Sequence, residues 1–173
     1  MLLWESAQTD AGALDRLARA GRGGVERFMR EDGAAALVLC DDGEAPPGTV
    51  EKRVATLFCG GRSGARAGAW LFCVGLWTPE AWGAEFCAWY RHEHAPILLE
   101  CPVWSGFRFV EQHPAPDGRR GRQFYAMHWL AERAALDSDF RLRSRSTPWF
   151  LRLSKNDWFD GAFVRRLYRR WGD

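Results

Sequence analysis

The chain has 173 residues, 47% hydrophobic and 27% charged, with a formal charge of +2. This is ordinary globular composition for one domain or two small ones, long enough to bury a core without disulfide staples. The charge is too small to point to a nucleic-acid partner, and the apolar runs "AALVLC" and "AWLFCVGLW" are of strand length, too short to span a bilayer.

The N-terminus, "MLLWESAQTDAG", meets acidic residues at once and carries no basic n-region or cleavable apolar stretch, so a cytoplasmic protein is expected. "LLWESAQ" reads as an opening strand. Leu14, Leu17, Ala18, Val25, Phe28 and Met29 then follow helical spacing. Gly21, Gly23 and Gly24 interrupt that face and predict a kink or two short helices. Gly33 ends the helix, "AAALVLC" is a second strand, "DDGEAPPG" a turn-rich loop and "VEKRVATLFCG" a third strand. "GRSGARAG", rich in glycine and arginine, is the clearest linker. It divides the chain into a 1–60 segment and a 69–173 domain.

The pattern then restarts. "AWLFCVGLW" (69–77) is an apolar, central strand. Thr78 is placed to cap a helix, with Pro79 at its first position and Glu80 in its first turn. Trp82, Phe86, Trp89 and Tyr90 share one face of that helix, and Pro96 and Pro102 terminate it. "WSGFRFVEQ" (104–112) and "QFYAMHWL" (123–130) are strands around the loop "HPAPDGRRGR". "AERAALDSDFRLRSRS" reads as an exposed helix plus loop, and "TPWFLRLSKNDWFDG" as irregular. In the last segment Phe163, Val164, Leu167, Tyr168 and Trp171 have helical spacing, whereas the topology asks for an edge strand. Residues 69–171 therefore read β-α-β-β-α-β, the ferredoxin-like order of an antiparallel sheet with helices on one face. Residues 1–60 read β-α-β-β, a degenerate copy of the same unit, in an α+β protein.

The five cysteines, Cys40, Cys59, Cys73, Cys87 and Cys101, include no Cys-x-x-Cys pair, and their odd number favours free thiols in a reducing compartment. Ten tryptophans serve either core and interface packing or an aromatic-lined pocket for a flat ligand.

"WYRHEHAPILL" followed by "GFRFV", with "FYAMHWLAERAALDS", "STPWFLRL" and "FVRRLYRR" after it, resembles the EthD-like branch of the dimeric α+β-barrel superfamily. The likeness covers about residues 69–171. Glu93, His94 and Pro96 match that family's glutamate–histidine–x–proline element, while Val103 stands after Pro102 where a glycine is usual. The resemblance implies two ferredoxin-like sheets facing each other as a barrel. Residues 1–60 could supply the second sheet within the chain but read as short of a helix and a strand. They are expected to pack beside the main sheet, with a homodimer formed as well. The superfamily includes cofactor-free monooxygenases, cyclases, isomerases and haem-binding enzymes, so its fold does not settle function.

The candidate site centres on His94, at the end of the helix that covers the sheet. A neutral imidazole there is suited to proton transfer near pH 7, with Glu93 as its partner. The alternative is a helix-end histidine bonded to terminal carbonyls. Trp89, Tyr90, Trp104 and His128 are the candidate substrate-binding residues. His92 and His94 are two apart and point to different sides of a helix, which argues against a shared metal. The basic runs "RLRSRS" and "VRRLYRRW" read as a solvated face. The leading expectation is cofactor-free isomerase, cyclase or lyase chemistry on a small hydrophobic carbonyl or aromatic compound. Its rivals are a non-catalytic ligand-binding or assembly protein and a haem-binding barrel. No metal, nucleic-acid or membrane partner is expected.

Overall fold

The computed structural model describes residues 1–7, 11–44, 49–61, 68–112 and 121–172, with only the backbone described at 11, 13, 14 and 49–53. The inner parts of the expected loop at 41–48, linker at 61–68 and hairpin loop at 113–122 lie outside these residues.

The first part runs β1 (Leu2–Ser6), α1 (Ala11–Ala20), β2 (Gly21–Arg22), β3 (Glu26–Arg30), β4 (Ala36–Cys40), β5 (Asp42–Gly43) and β6 (Thr49–Gly61). The second runs β7 (Trp70–Thr78), α2 (Glu80–Trp89), a π turn (Tyr90–His94), α3 (Ala95–Leu99), β8 (Trp104–Gln112) and β9 (Arg122–Leu130). It ends with a 3₁₀ turn (Arg133–Asp137), α4 (Asp139–Ser144), α5 (Pro148–Leu153), a second 3₁₀ turn (Asp160–Ala162) and β10 (Phe163–Arg170). Within the second part the strands lie β8-β9-β7-β10, the ferredoxin-like order. Within the first they lie β6-β1-β4-β3, the same order, with no second helix among the described residues. Antiparallel pairing of β6 with β8 and of β3 with β10 joins the two sheets into a closed barrel.

Two readings of the sequence are corrected here. The helix expected through Met29 stops at Ala20, and "ERFMR" is strand β3, with Glu26 and Phe28 buried between half-buried neighbours. Glycines at 21, 23 and 24 end α1, and period-two burial replaces helical spacing. The last segment is a strand, but not at an edge, because closure seats β10 between β7 and β3. The apolar sheet face that motivated a homodimer is covered by the first part of the same chain. Leu3, Phe28, Leu37 and Leu39 pack inside the barrel against Leu71, Met127 and Trp129.

Side chains alternate across each strand, so the sheet has two apolar faces. On β9, Met127 and Trp129 point into the barrel, whereas Phe124, Ala126 and His128 face the covering helices. On β7, Leu71 and Cys73 point inward, and Phe72, Val74 and Leu76 face outward. The helices seat closely on that outer face. A glycine inside a helix costs about 1 kcal/mol relative to alanine, yet α2 carries Gly83 as its fourth residue. A Cβ there would lie 2.5 Å from Arg122 Cδ. The Arg122 guanidinium in turn forms a two-pronged ion pair with Glu111, at 2.7 and 2.8 Å.

The two seams are unequal. β6 and β8 pair over Val54–Gly61, whereas β3 and β10 pair only at Phe28, Met29 and Arg30. An ion pair reinforces the shorter seam. The buried Glu26 carboxylate on β3 accepts from Arg170 on β10 (2.9 Å) and from the Trp129 indole (3.0 Å). Removing one partner of a buried pair costs about 3–5 kcal/mol. Glu26→Ala is expected to lower stability by about 3 kcal/mol. It should also speed amide hydrogen exchange in β3 and β10 ahead of β7 and β9. Uniform acceleration over all strands would contradict this account of the seam.

Candidate active site

The covering layer runs from α2 into the π turn and on into α3 without a break. Pro96 was expected to end the helix, but it sits in the first turn of α3. A proline has no N–H and clashes with the carbonyl four residues back. The π turn just before it widens the ring to five residues, with Ala95 N–H bonded to Tyr90 O. Such insertions often occur at functional sites. Here the turn carries Tyr90 and His94 on the sheet side and leaves His92 exposed. The helix also starts one residue later than expected. Pro79 is its N-cap, and the buried Thr78 hydroxyl makes no capping bond.

Between this layer, α4, α5 and the outer face of β7–β9 lies a cavity of about 70 Å³. At roughly 10–15 Å³ per water position it has room for about five water-sized groups. Trp89, Tyr90, His94, Trp104 and His128 all line it, together with Phe72, Phe150 and Phe163. Five of the six residues singled out in the sequence are thus brought together.

The sixth, Glu93, has another occupation. Its carboxylate accepts from the Trp89 indole (3.1 Å) and the Thr147 hydroxyl (2.5 Å). Thr147 in turn caps α5 by accepting from Phe150 N–H. Glu93 therefore fastens the π turn to α5. The hydrogen bond of His94 Nδ1 goes instead to the Ser144 carbonyl at the end of α4, 3.3 Å away.

The protonation of both histidines follows from their partners. An indole N–H only donates, so Trp104 Nε1, 3.1 Å from His128 Nδ1, requires a bare nitrogen there. Burial holds His128 neutral, its pKa far below the usual 6.5, with the Arg141 cation adding to the effect. Its one proton is then on Nε2, which donates to the Tyr90 oxygen at 2.5 Å. The Tyr90 hydroxyl proton has no other acceptor among the described residues and is left for the cavity. Burial pushes the Tyr90 pKa well above 10, so that proton is retained at neutral pH. A carbonyl only accepts, so His94 carries its proton on Nδ1 and leaves Nε2 bare. Burial lowers the His94 pKa to about 4, assisted by the charges of Arg145 and Arg141. The Tyr90 and His94 rings are 5.0 Å apart between centroids. The site therefore offers one proton donor and one proton acceptor side by side.

Trp104 reaches His128 because of a β-bulge. Residues Trp104 and Gly106 pair with the adjacent Leu130 and Trp129, so β8 holds one extra residue there. Strict alternation would set Trp104 on the face opposite Phe107 and Phe109. The bulge puts all three on the helix-covered face. Arginines 141, 145 and 165 also line the cavity, where the sequence reading placed a solvated basic face. The visible signal was the four-residue spacing of Arg141 and Arg145, which sets them on one side of a helix.

No protein-family model matches the sequence, and no curated protein matches it. Solved structures do match in fold. A ferredoxin-fold protein from Listeria monocytogenes, related to antibiotic biosynthesis monooxygenases, superposes with a TM-score of 0.65 at 12% identity. The match covers 99% of this chain and 95% of that one. A monooxygenase-like protein from Listeria innocua gives 0.62 at 11% identity, over 98% and 92% of the two chains. A haem-degrading enzyme from Listeria monocytogenes gives 0.58 at 11%, over 98% and 99%. At these identities the likeness establishes the fold, a ferredoxin-like α+β barrel. Among the described residues no helix is long and apolar enough to cross a membrane.

Acid should weaken this protein through its two cavity histidines. The unfolded chain takes up a proton on histidine near pH 6.5, whereas folded His94 does so only near 4. Between these values the unfolded state binds more protons, so stability falls as pH falls. Melting temperature is expected to drop from pH 7 to pH 4, and His94→Gln should make that slope shallower. An unchanged slope in the variant would contradict the neutral, buried assignment.

Proposed function

We propose that the cavity is an active site for cofactor-free proton transfer on a small hydrophobic carbonyl compound. The observation that carries this reading is the pairing of an available Tyr90 hydroxyl proton with the bare Nε2 of His94. In such a site the Tyr90 hydroxyl donates to the carbonyl oxygen and stabilises the enolate as negative charge develops there. His94 Nε2 removes a proton from the adjacent carbon and returns it to the same or another atom. Aromatic walls from Trp89, Phe72 and Phe150 exclude water and fit a ring or chain of low polarity. The reaction class is isomerisation, cyclisation or elimination through an enolate.

A second reading, haem binding, has one observation in its favour. A histidine whose Nδ1–H is bonded to a backbone carbonyl is oriented as metal-ligating histidines commonly are, and His94 meets that condition. His128 does not, because both its nitrogens are engaged. The space fits poorly: about 70 Å³ is far below the several hundred usual for larger ligands. A Soret band that follows haem addition and disappears in His94→Ala would move the assignment to this reading.

The proton-transfer reading is tested by hydrogen exchange at carbon. The protein is incubated in D₂O with a panel of small cyclic and aromatic ketones, and deuterium next to the carbonyl is followed by NMR. At least one compound is expected to exchange, and His94→Gln and Tyr90→Phe should each slow it by about 10²–10⁴-fold. Exchange that persists unchanged in both variants, or is absent across the panel, would contradict the assignment.

A further inference from the structure

Three cations converge on the cavity. Arg141 and Arg145 come from α4 and the residue that follows it, and Arg165 from β10. Each guanidinium lies over an aromatic ring of the cavity wall: Arg141 over Phe72 at 5.7 Å, Arg145 over Phe150 at 6.0 Å and Arg165 over Phe163 at 4.9 Å. Arg141 is further fixed by donating to the Leu136 carbonyl at 2.5 Å. Among the described residues none of the three pairs with a carboxylate. Elsewhere the chain does supply such partners: Glu111 to Arg122, Glu5 to Arg166 and Glu26 to Arg170. Burial makes the Arg141 cation harder to hold, and the like charges of Arg145 and Arg165 add to the effect against an opposing pull from Asp137. Arg141 is half-buried and Arg145 and Arg165 are exposed, so the group stands where the cavity meets solvent, and guanidiniums in such a place can take a carboxylate in two-pronged geometry.

We propose that this arginine group is an anion subsite, and that the ligand of the cavity is a small aromatic or cyclic carboxylate. The proposal rests on reading the cavity as a small-molecule site and specifies that ligand's charge. The carboxylate sits among the guanidiniums on the solvent side, outside the enclosed 70 Å³, so that only a small ring enters that space against Phe72, Phe150 and Trp89. This directs the rest of the molecule toward Tyr90 and His94. An anion there also offsets the positive charges beside His94, which favours proton uptake at Nε2 while the ligand is bound. The substrate class narrows from carbonyl compounds at large to ring-bearing keto acids.

The experiment uses the full chain and two probes of nearly equal shape, 4-fluorobenzoate and 4-fluorobenzamide, followed by ¹⁹F NMR line width. The carboxylate is expected to bind, with the amide at least tenfold weaker. A hydrogen bond to a charged group typically contributes about 1.5–3 kcal/mol. Arg141→Gln and Arg145→Gln, checked for folding by circular dichroism, should therefore each weaken the carboxylate about tenfold or more. Arg16→Gln, on exposed α1, should leave it unchanged, and Arg141→Lys should restore part of the loss. Equal binding of both probes, or carboxylate binding indifferent to the cavity arginines, would overturn the anion subsite and leave the pocket standing. Binding of neither probe would overturn the pocket and the subsite together.

Discussion

An indole nitrogen can give a hydrogen bond but not receive one, and the chemistry of this site follows from that restriction. Trp104 donates to His128 Nδ1, which fixes the histidine's remaining proton on the nitrogen facing Tyr90. The tyrosine oxygen then accepts, and its own proton is directed away from the protein's internal network. Were residue 104 an acceptor, His128 would take the other tautomer. Tyr90 would then spend its proton on the histidine, and the cavity would have two bases and no acid. The strand irregularity at Ser105 is part of the same device, because without it the indole would point into the barrel.

The other half of the pair depends on a helix that passes through a proline. Widening the backbone over Tyr90–His94 relieves the proline's missing donor and its steric conflict. It also rotates His94 toward the sheet, where Ser144 holds its Nδ1. Glu93, one residue earlier, anchors the π turn to α5 through Thr147. The motif "HEHAP" is therefore split by function. Its first histidine is exposed, its glutamate bonds Trp89 and Thr147, and its second histidine lines the cavity. The barrel supplies the rigid floor, with the sheet's inner face packed against the other half of the chain and its outer face free to hold the site.

Much of this was legible in the chain. Apolar run lengths and turn residues marked the strands of the second part, and the spacing of Phe86, Trp89 and Tyr90 marked the buried face of α2. What escaped was set by tertiary pairing. "VERFMR" carries both helical and alternating signals, and only its seat between β4 and β10 decides for strand. "TPWFLRL" is too short to announce a helix, although Thr147 and Pro148 are a cap and a first-turn proline. Alternation along β8 assigns Trp104 to the wrong face because an extra residue leaves no trace in the pattern. The arginines of "RLRSRS" look solvated because a sequence does not reveal which charges go without a partner.

The central claim concerns where two protons reside, and that can be observed without a substrate. Long-range ¹H–¹⁵N NMR of the histidine rings at pH 7 distinguishes a protonated from a bare ring nitrogen. The account predicts that His128 carries its proton on Nε2 and His94 on Nδ1, both rings neutral. It also predicts that Trp104→Phe loosens the His128 preference. A His128 protonated on Nδ1, or a His94 ring bearing two protons at that pH, would contradict it.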